Sequence, residues 1–238
     1  MLKKAWIIED GVRYLLKGGY KNEVMQPFNE VLASMICERL GFSHVTYTLD
    51  IYKDMVVSKC PCFITKDTEF ITVFQLRNDM ERHGSTKDYE DYIQLLESHG
   101  IKDARIKMEN MYILDFLMMN EDRHLNNFGI IRDVNTLKWL DVAPIFDNGQ
   151  SLNIQDYNDE EVILSGQGRL FYEVKSFDEI IAVVKDLKRI DLSKLDGLVE
   201  EFDHLLHKYQ YITNMSDRRI HKLCILLNSR INKLKKFE

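Results

Sequence analysis

A ten-residue stretch near the middle of the chain, NEDRHLNNFG at 120–129, concentrates side chains that can do chemistry. Asp122 offers a carboxylate, Arg123 and His124 offer potential cations, and Asn127 offers a carboxamide. A carboxylate can take the proton of an attacking hydroxyl, and an amide oxygen is a suitable ligand for a small hard cation such as Mg²⁺. The spacing D-x-x-x-x-N therefore predicts phosphoryl transfer, with Asp122 as the base and Asn127 as a metal ligand.

A second acidic site follows in the segment FDNG at 146–149. Two short strand-like runs, GIIRD and KWLDV, separate it from the first site and would fold Asp147 back beside Asp122. In protein kinases a later Asp-x-Gly supplies the second metal ligand after the same Asp and Asn spacing. We therefore expect Asp147 to bind the metal, and Gly149 to let the backbone turn sharply next to it.

A lysine that contacts the nucleotide phosphates completes such a site. Lys17 lies on the strand-like run VRYLLK, and Glu30 lies early in the next helical pattern, where it could hold the lysine in place. Each has a simpler interpretation, because Lys17 could be solvated and Glu30 shares a helix stripe with Ser34 and Glu38. The joint order of lysine, glutamate, D-x-x-x-x-N and D-x-G favours a kinase site.

The remaining polar residues of the central motif receive supporting roles. We expect His124 to hydrogen-bond a backbone group and to hold Asp122 in its rotamer, because no other histidine stands at metal-ligand spacing from it. Arg123 would either counter phosphate charge or pair with a nearby acid. The sequence has no G-x-S-x-G nucleophile motif.

The first third of the chain is rich in strand patterns. Asp10-Gly11 predicts a two-residue hairpin turn, and a helix should begin at Pro27 and end before Gly41. Three further strand-like runs follow, HVTYTLDIY, DMVVSKCPCFI and EFITVFQL.

The rest of the chain is rich in helical patterns. Ser85 or Thr86 should cap a helix over DYEDYIQLLESHG, and KDARIKMENMYILDFLMMN predicts a more buried helix. The polar segment from about 156 to 170 predicts an exposed loop, and three closing helices are expected at 176–187, 194–210 and 216–236. We predict an α+β, two-lobed, protein-kinase-like fold, with a strand-rich N-lobe over 1–84, a larger helical C-lobe over 85–238, and a cleft between them.

Composition excludes several classes of protein. The 238 residues carry a formal net charge of −6, which argues against a direct nucleic-acid partner, and the basic C-terminal helix is best interpreted as a solvated face. No stretch is long and apolar enough for a signal peptide or a membrane span. Four cysteines with a single close pair suggest neither a zinc site nor a disulfide framework, so we expect a reducing, cytoplasmic location.

NEDRHLNNFGI followed by LDVAPIFDNGQSL resembles the core of the HipA-like toxin kinases, and YLLKGG with NEVLASMICERLG resembles their ATP-lysine strand and following helix. The resemblance implies a serine/threonine protein kinase that uses ATP and Mg²⁺, with Asp122 as base, Asn127 and Asp147 as metal ligands and Lys17 as the phosphate-binding lysine. It also implies that SKCPCFI is the adenine hinge, with Cys60 and Cys62 as the nearest residues. A protein substrate and an antitoxin or regulatory partner are the implied partners.

Two features keep alternatives open. The residues before Lys17 contain no Gly-rich phosphate loop. This absence would fit a longer natural chain, a minimal kinase that binds nucleotide weakly, or a non-catalytic pseudokinase that serves as an interaction module. The DRHxxN and D-x-G arrangement is also shared, more distantly, with phosphoinositide 3/4-kinases. A lipid or small-molecule acceptor therefore stays possible beside a protein hydroxyl and autophosphorylation.

Overall fold

The computed structural model describes residues 4–19, 23–77, 83–152 and 166–237. The described strands are β1 (Lys4–Glu9), β2 (Val12–Lys17), β3 (Thr48–Tyr52), β4 (Met55–Pro61), β5 (Thr68–Thr72), β6 (Gly129–Asp133), β7 (Trp139–Val142), β8 (Gln167–Leu170) and β9 (Glu173–Ser176). The described helices are α1 (Met25–Leu40), α2 (Val73–Leu76), α3 (Ser85–Ser98), α4 (Ala104–Met118), α5 (Phe177–Ile181), α6 (Leu198–Lys208), α7 (Gln210–Thr213) and α8 (Asp217–Leu234).

The N-terminal part is a four-stranded antiparallel sheet in the order β1-β2-β4-β3, with α1 packed against it. The predicted hairpin is confirmed. Asp10 and Gly11 both have positive φ, 50° and 78°, the backbone geometry of the turn that matches the twist of two short strands. Gly41, at a φ of 73°, ends α1 as expected, although the helix begins at Met25, two residues before Pro27.

A second antiparallel sheet, β5-β6-β7, links the two parts of the chain. Residues 68–72 pair with β6 in the C-terminal half, so this strand is bonded to the later residues and not to the first sheet. Gly129 makes the pairing possible, because a Cβ on it would lie 2.0 Å from the carbonyl oxygen of Ile71. The boundary at residue 84 between an N-lobe (1–84) and a C-lobe (85–238) stays a prediction.

Helix α4 is the centre of the C-terminal core. From Met111 to Met118 every residue of it is buried, and α1, α3, α5 and α8 pack around it. Strand-rich sheets and this helical body together form the predicted α+β, two-lobed kinase-like fold. No helix of the described residues is long and apolar enough to cross a membrane.

Several local expectations were wrong. The end of EFITVFQL is the short helix α2, which Thr72 and Gln75 start with a reciprocal capping box. Gly84, and neither Ser85 nor Thr86, stands at the N-cap of α3. The predicted loop at 156–170 is contradicted at its end, where residues 167–170 form β8, while 156–165 lie outside the described residues. The first of the three closing helices is only five residues long.

Candidate active site

Lys17 lies between two carboxylates at the end of β2. Its Nζ is 2.5 Å from Glu30 Oε1, and it also hydrogen-bonds Asp147 Oδ1. The Lys17 and Glu30 side chains are 8% and 0% exposed, so neither is a solvated surface group. Burial alone would lower the pKa of Lys17, but the two carboxylates outweigh burial and raise it above its usual range. The lysine is therefore held as a cation.

Glu30 connects α1 to the loop that carries Asp147. One carboxylate oxygen accepts from Lys17, and the other, Oε2, accepts from the backbone N–H of Asn148 at 2.8 Å. The neighbouring Asn29 donates to the carbonyl oxygens of Gly149 and Ser151 at 3.0 and 2.8 Å. Two adjacent helix residues thus fix the backbone of residues 148–151.

The sharp backbone turn at this loop is at Asp147 itself. Asp147 has a φ of 55°, in the left-handed region, whereas Gly149 is not among the residues with positive φ. Gly149 matters for packing instead, because a Cβ there would lie 3.4 Å from both Gln26 Cβ and Glu30 Oε1. Burial would raise the pKa of the Asp147 carboxyl, but Lys17 reverses the effect and holds the pKa below its usual value.

The residues of the predicted catalytic loop lie just after α4. The backbone N–H of Asp122 donates a hydrogen bond to the Asn120 side-chain oxygen at 3.0 Å, and the Asp122 carbonyl accepts one from Asn127 Nδ2 at 2.9 Å. Because the Asn127 nitrogen is used in this way, its amide oxygen is the atom available to a metal. Burial raises the pKa of the Asp122 carboxyl, the charge of His124 opposes that rise, and the charge of Asp147 adds to it.

His124 contacts its own loop more than it contacts the carboxylate. Its Nδ1 accepts from the backbone N–H of Asn126 at 3.3 Å, and its Nε2 is 3.9 Å from Asp122 Oδ2. The expected backbone hydrogen bond is present. The second distance is too long for a hydrogen bond, so His124 acts on Asp122 through charge.

Arg123, for which the sequence left two roles open, is a buried residue with several hydrogen-bond partners. It is 1% exposed and pairs with Asp115 of α4 at 2.8 Å. It also donates to the carbonyl oxygens of Asn127 and Phe146, at 3.1 and 2.8 Å, and to Asn148 Oδ1 at 2.5 Å. One guanidinium therefore ties the buried helix to the loops that carry both predicted metal ligands.

Of the two predicted hinge residues, Cys60 lies at the end of β4 and Cys62 lies just after it. Cys60 is buried, and burial raises the pKa of its thiol to about 11. The backbone N–H of Cys62 donates to the Arg13 carbonyl at 2.8 Å, and Arg13 Nη2 donates to Cys62 Sγ at 3.1 Å. That N–H is thus already used within the sheet, which counts against it as a donor to adenine.

Several residues of the site were missed by the sequence analysis. Hydrogen bonds to its residues are made by Asp115, Asn120, Asn29 and Asn148. Asn148 stands in the quoted FDNG segment, and Asn29 is adjacent to Glu30, so proximity to a motif was the available signal. Asp115 stands inside an apolar helical pattern, where a buried acid signals that a partner must be near.

No protein-family model matches the chain. Among curated proteins, it is 26% identical over 237 residues to the serine/threonine-protein kinase CtkA of Helicobacter pylori strain J99, covering 85% of this chain and 72% of the relative. The crystal structure of the Helicobacter pylori proinflammatory kinase CtkA matches with a TM-score of 0.70 at 20% identity, covering 98% of this chain and 93% of that one.

The chain is a homologue of CtkA. It also shares its fold with HipA of Shewanella oneidensis MR-1, solved in a complex of HipA, HipB and their operator DNA, with a TM-score of 0.54 at 10% identity. That match covers 99% of this chain but 63% of HipA. The likeness to CtkA in sequence and structure indicates a phosphotransferase, and the likeness to HipA is one of fold.

Proposed function

We propose that the chain is an ATP- and Mg²⁺-dependent serine/threonine protein kinase. The observation that carries the proposal is the position of Lys17, which contacts both Glu30 and Asp147 although 130 residues separate it from the latter. A lysine held by a helix glutamate beside a D-x-G carboxylate is the arrangement that phosphoryl transfer from ATP requires. CtkA is a serine/threonine-protein kinase, and the similarity to it supports serine and threonine as the acceptors.

The donor set fits magnesium. Asp147 and Asn127 supply one carboxylate and one amide oxygen, and Mg²⁺ usually takes one or two carboxylates together with substrate phosphates and water. Within the residues that the structure describes, no group of three or more His, Cys, Asp or Glu side chains could hold a metal on its own. When bound, the metal neutralises charge on the phosphate oxygens.

Each residue of the proposed site then has a separate role. Lys17 binds phosphate oxygens of the nucleotide, and Glu30 keeps the lysine in place from the helix side. Asp122 accepts the proton of the acceptor hydroxyl, for which its partly exposed carboxylate, 44% exposed, is accessible. Arg123 keeps the loops of Asn127 and Asp147 at a fixed separation by binding backbone oxygens of both.

We further propose a cytoplasmic location and a regulatory protein partner. All four cysteines are free thiols, which fits a reducing compartment. The structural relative HipA was solved with HipB, and the antitoxin-like partner of this chain is inferred from that likeness. Cys60 and Cys62 remain a proposal for the neighbourhood of adenine, and direct nucleic-acid or membrane binding is not part of the proposed function.

The deciding experiment is transfer from γ-labelled ATP with Mg²⁺ to the protein itself and to a cell extract, with Asp122→Ala beside the wild type. Removing the base should lower transfer by roughly 10²–10⁴-fold. ATP binding, measured separately by titration, should stay within about twofold, because Asp122 contacts the acceptor and not the nucleotide.

Four outcomes of that experiment are distinct. Label that depends on Asp122 identifies the acceptor by mass spectrometry. Unchanged transfer by Asp122→Ala would remove Asp122 as the base. Binding of ATP without transfer by the wild type would instead support the non-catalytic interaction module, for which the two-residue turn Asp10-Gly11 in place of a Gly-rich loop is the supporting observation. Label found in lipid or in a small molecule would move the acceptor to that class.

A further inference from the structure

Strand β1 carries an exposed tryptophan on the face of the sheet that also carries Lys17. In the antiparallel pair of β1 and β2, Trp6 lies opposite Leu15, and Lys4 lies opposite Lys17. Directly opposite residues of such a pair point to one face of the sheet, as do residues two apart on one strand. Trp6 and Leu15 therefore share the face from which Lys17 reaches Glu30. On this face Trp6 is 56% exposed.

An apolar surface extends from this tryptophan to the loop of the proposed metal ligand. Leu15, the residue opposite Trp6, packs together with Phe63 and Phe146 against one small buried cluster. The ring centroids of Phe63 and Phe146 are 5.3 Å apart, and Phe146 directly precedes Asp147. Trp6 is therefore the outer end of a surface whose inner end is Asp147.

Arg13 fixes the orientation of the indole. Its guanidinium carbon lies 4.9 Å from the centroid of the Trp6 ring, a cation–π contact, and its Nη2 donates to Cys62 Sγ at 3.1 Å. Arg13 stands near the start of β2 and Lys17 at its end, so Arg13 covers the indole from the side of the Asp10-Gly11 turn. The ring face turned away from Arg13 therefore lies towards Lys17.

The distance along the strand suits a nucleotide that spans both residues. Leu15 lies about 7 Å from Lys17, which is twice the rise of one strand residue. A nucleotide whose phosphates contact Lys17 would therefore bring its nucleoside to the level of Leu15 and Trp6. An indole held on one face by a cation offers its other face to a flat, apolar ring system.

We propose that the open face of the Trp6 indole stacks on the base of the bound nucleoside triphosphate. This inference rests on the proposed kinase function and names a residue that binds the nucleotide in the same site. The residues before Lys17 contain no Gly-rich phosphate loop, and the indole supplies a contact to the nucleotide through a side chain instead. Every base has a π-face, so the stack contributes equally to the binding of ATP and of GTP.

The test compares the binding of ATP, GTP and inorganic tripolyphosphate, each with Mg²⁺, by calorimetric titration. Trp6→Ala should weaken the binding of ATP and of GTP by about tenfold each, as expected for one base–aromatic stack. Tripolyphosphate has no base, so its Kd should stay within about twofold of the wild type, which also shows that the variant is folded. Trp6→Phe should keep part of the nucleotide affinity.

The same hairpin provides the matched control. Val12 is 42% exposed and lies next to Arg13 on β2, so it points to the opposite face of the sheet. Val12→Ala should bind all three compounds as the wild type does. Equal losses for ATP and tripolyphosphate in Trp6→Ala would overturn the inference, as would an unchanged affinity for ATP.

Fluorescence reports on the indole directly, because Trp6 and Trp139 are the two tryptophans of the chain. Trp139 stacks on His99, with ring centroids 3.9 Å apart, and does not belong to the first sheet. In Trp139→Phe all tryptophan emission comes from Trp6. Saturating ATP or GTP should quench this emission with the Kd found by calorimetry, and tripolyphosphate should not. Emission that ATP leaves unchanged would overturn the inference.

Kinetic measurements separate the inference from the proposed function. Trp6→Ala should raise the KM for ATP by about tenfold and keep kcat within about twofold, because the stack is equally strong in the ground state and the transition state. If the wild type transfers no phosphate while ATP quenches Trp6, the kinase function fails and the nucleotide contact stands. If transfer occurs and Trp6→Ala keeps the KM for ATP, the contact fails and the kinase function stands.

Discussion

A single ammonium group shared by two carboxylates is the main electrostatic feature at the scale of the residue. Lys17 Nζ contacts Glu30, which is fully buried, and Asp147, whose side chain is 33% exposed. The two acids are therefore not equivalent, because Asp147 reaches solvent, as its proposed role as a metal ligand requires, while Glu30 does not. The site is held in order before any ligand arrives, which reduces the free energy lost in ordering it on binding.

The pH dependence of transfer tests the surroundings of Asp122. Burial raises the pKa of this proposed base, so the rate should begin to fall at a higher pH than it would for a solvated aspartate, whose pKa is about 3.9. Protonated His124 opposes the rise, and His124→Gln should therefore move the acidic limb of kcat/KM to still higher pH. The measurement is kcat/KM for one peptide across acidic to neutral pH.

The exposed His204 of α6 gives the control for that experiment. His204→Gln should leave the acidic limb where it is in the wild type. A limb that moves to lower pH in His124→Gln would show that His124 does not act on the base through its charge.

At the scale of elements, one buried ion pair joins α4 to both functional loops. Asp115 and Arg123 side chains are 2% and 1% exposed, and the guanidinium reaches backbone oxygens on either side of the β6-β7 hairpin. Helix α1 holds the second loop independently through Asn29 and Glu30. The two helices therefore set the distance between Asn127 and Asp147, which no single element could set.

Breaking the buried pair should lower the free energy of unfolding far more than breaking an exposed pair does. Asp115→Ala leaves an uncompensated buried guanidinium and should lower the free energy of unfolding by about 3–5 kcal/mol, measured by urea denaturation. The control is Glu201→Ala, which removes the Arg39 pair at 2.7 Å whose glutamate is 56% exposed. That change should cost about 0–1 kcal/mol. Similar losses for the two variants would contradict the role given to Asp115.

For the whole molecule, a bound nucleotide should stabilise the fold through residues that come from both halves of the chain. A non-hydrolysable ATP analogue with Mg²⁺ at one hundred times its Kd should add about 2.7 kcal/mol to the free energy of unfolding. Asp147→Asn should lose the part of this gain that depends on Mg²⁺, because an amide is a weaker ligand than a carboxylate for a hard cation. Thermal or chemical unfolding with and without Mg²⁺ measures the difference.

Asp141→Asn is the matched control, since Asp141 is 51% exposed and hydrogen-bonds Lys107 at 2.5 Å on β7. It should respond to nucleotide and Mg²⁺ as the wild type does. An equal Mg²⁺-dependent gain in Asp147→Asn and in the wild type would exclude Asp147 as a ligand.

The sequence predicted what depends on local pattern and missed what depends on contacts between distant segments. The Asp10-Gly11 turn, the end of α1 at Gly41 and the two-lobed fold follow from residue type and periodicity. The β8-β9 hairpin was missed because its short strands are polar and contain Gly168, which signals a loop. The Asp115–Arg123 pair was not predicted, because the position of a buried acid inside a helix does not indicate which residue it pairs with.

The left-handed backbone of Asp147 has a consequence for how such a protein can change over generations. At a φ of 55° asparagine is accepted about as well as aspartate, whereas most other residues would be strained. Aspartate and asparagine codons differ by one base, so the substitution that removes the proposed metal-binding carboxylate is also among those the backbone tolerates best. Under the proposed function, a folded protein that lacks catalysis is therefore a single mutational step from this one.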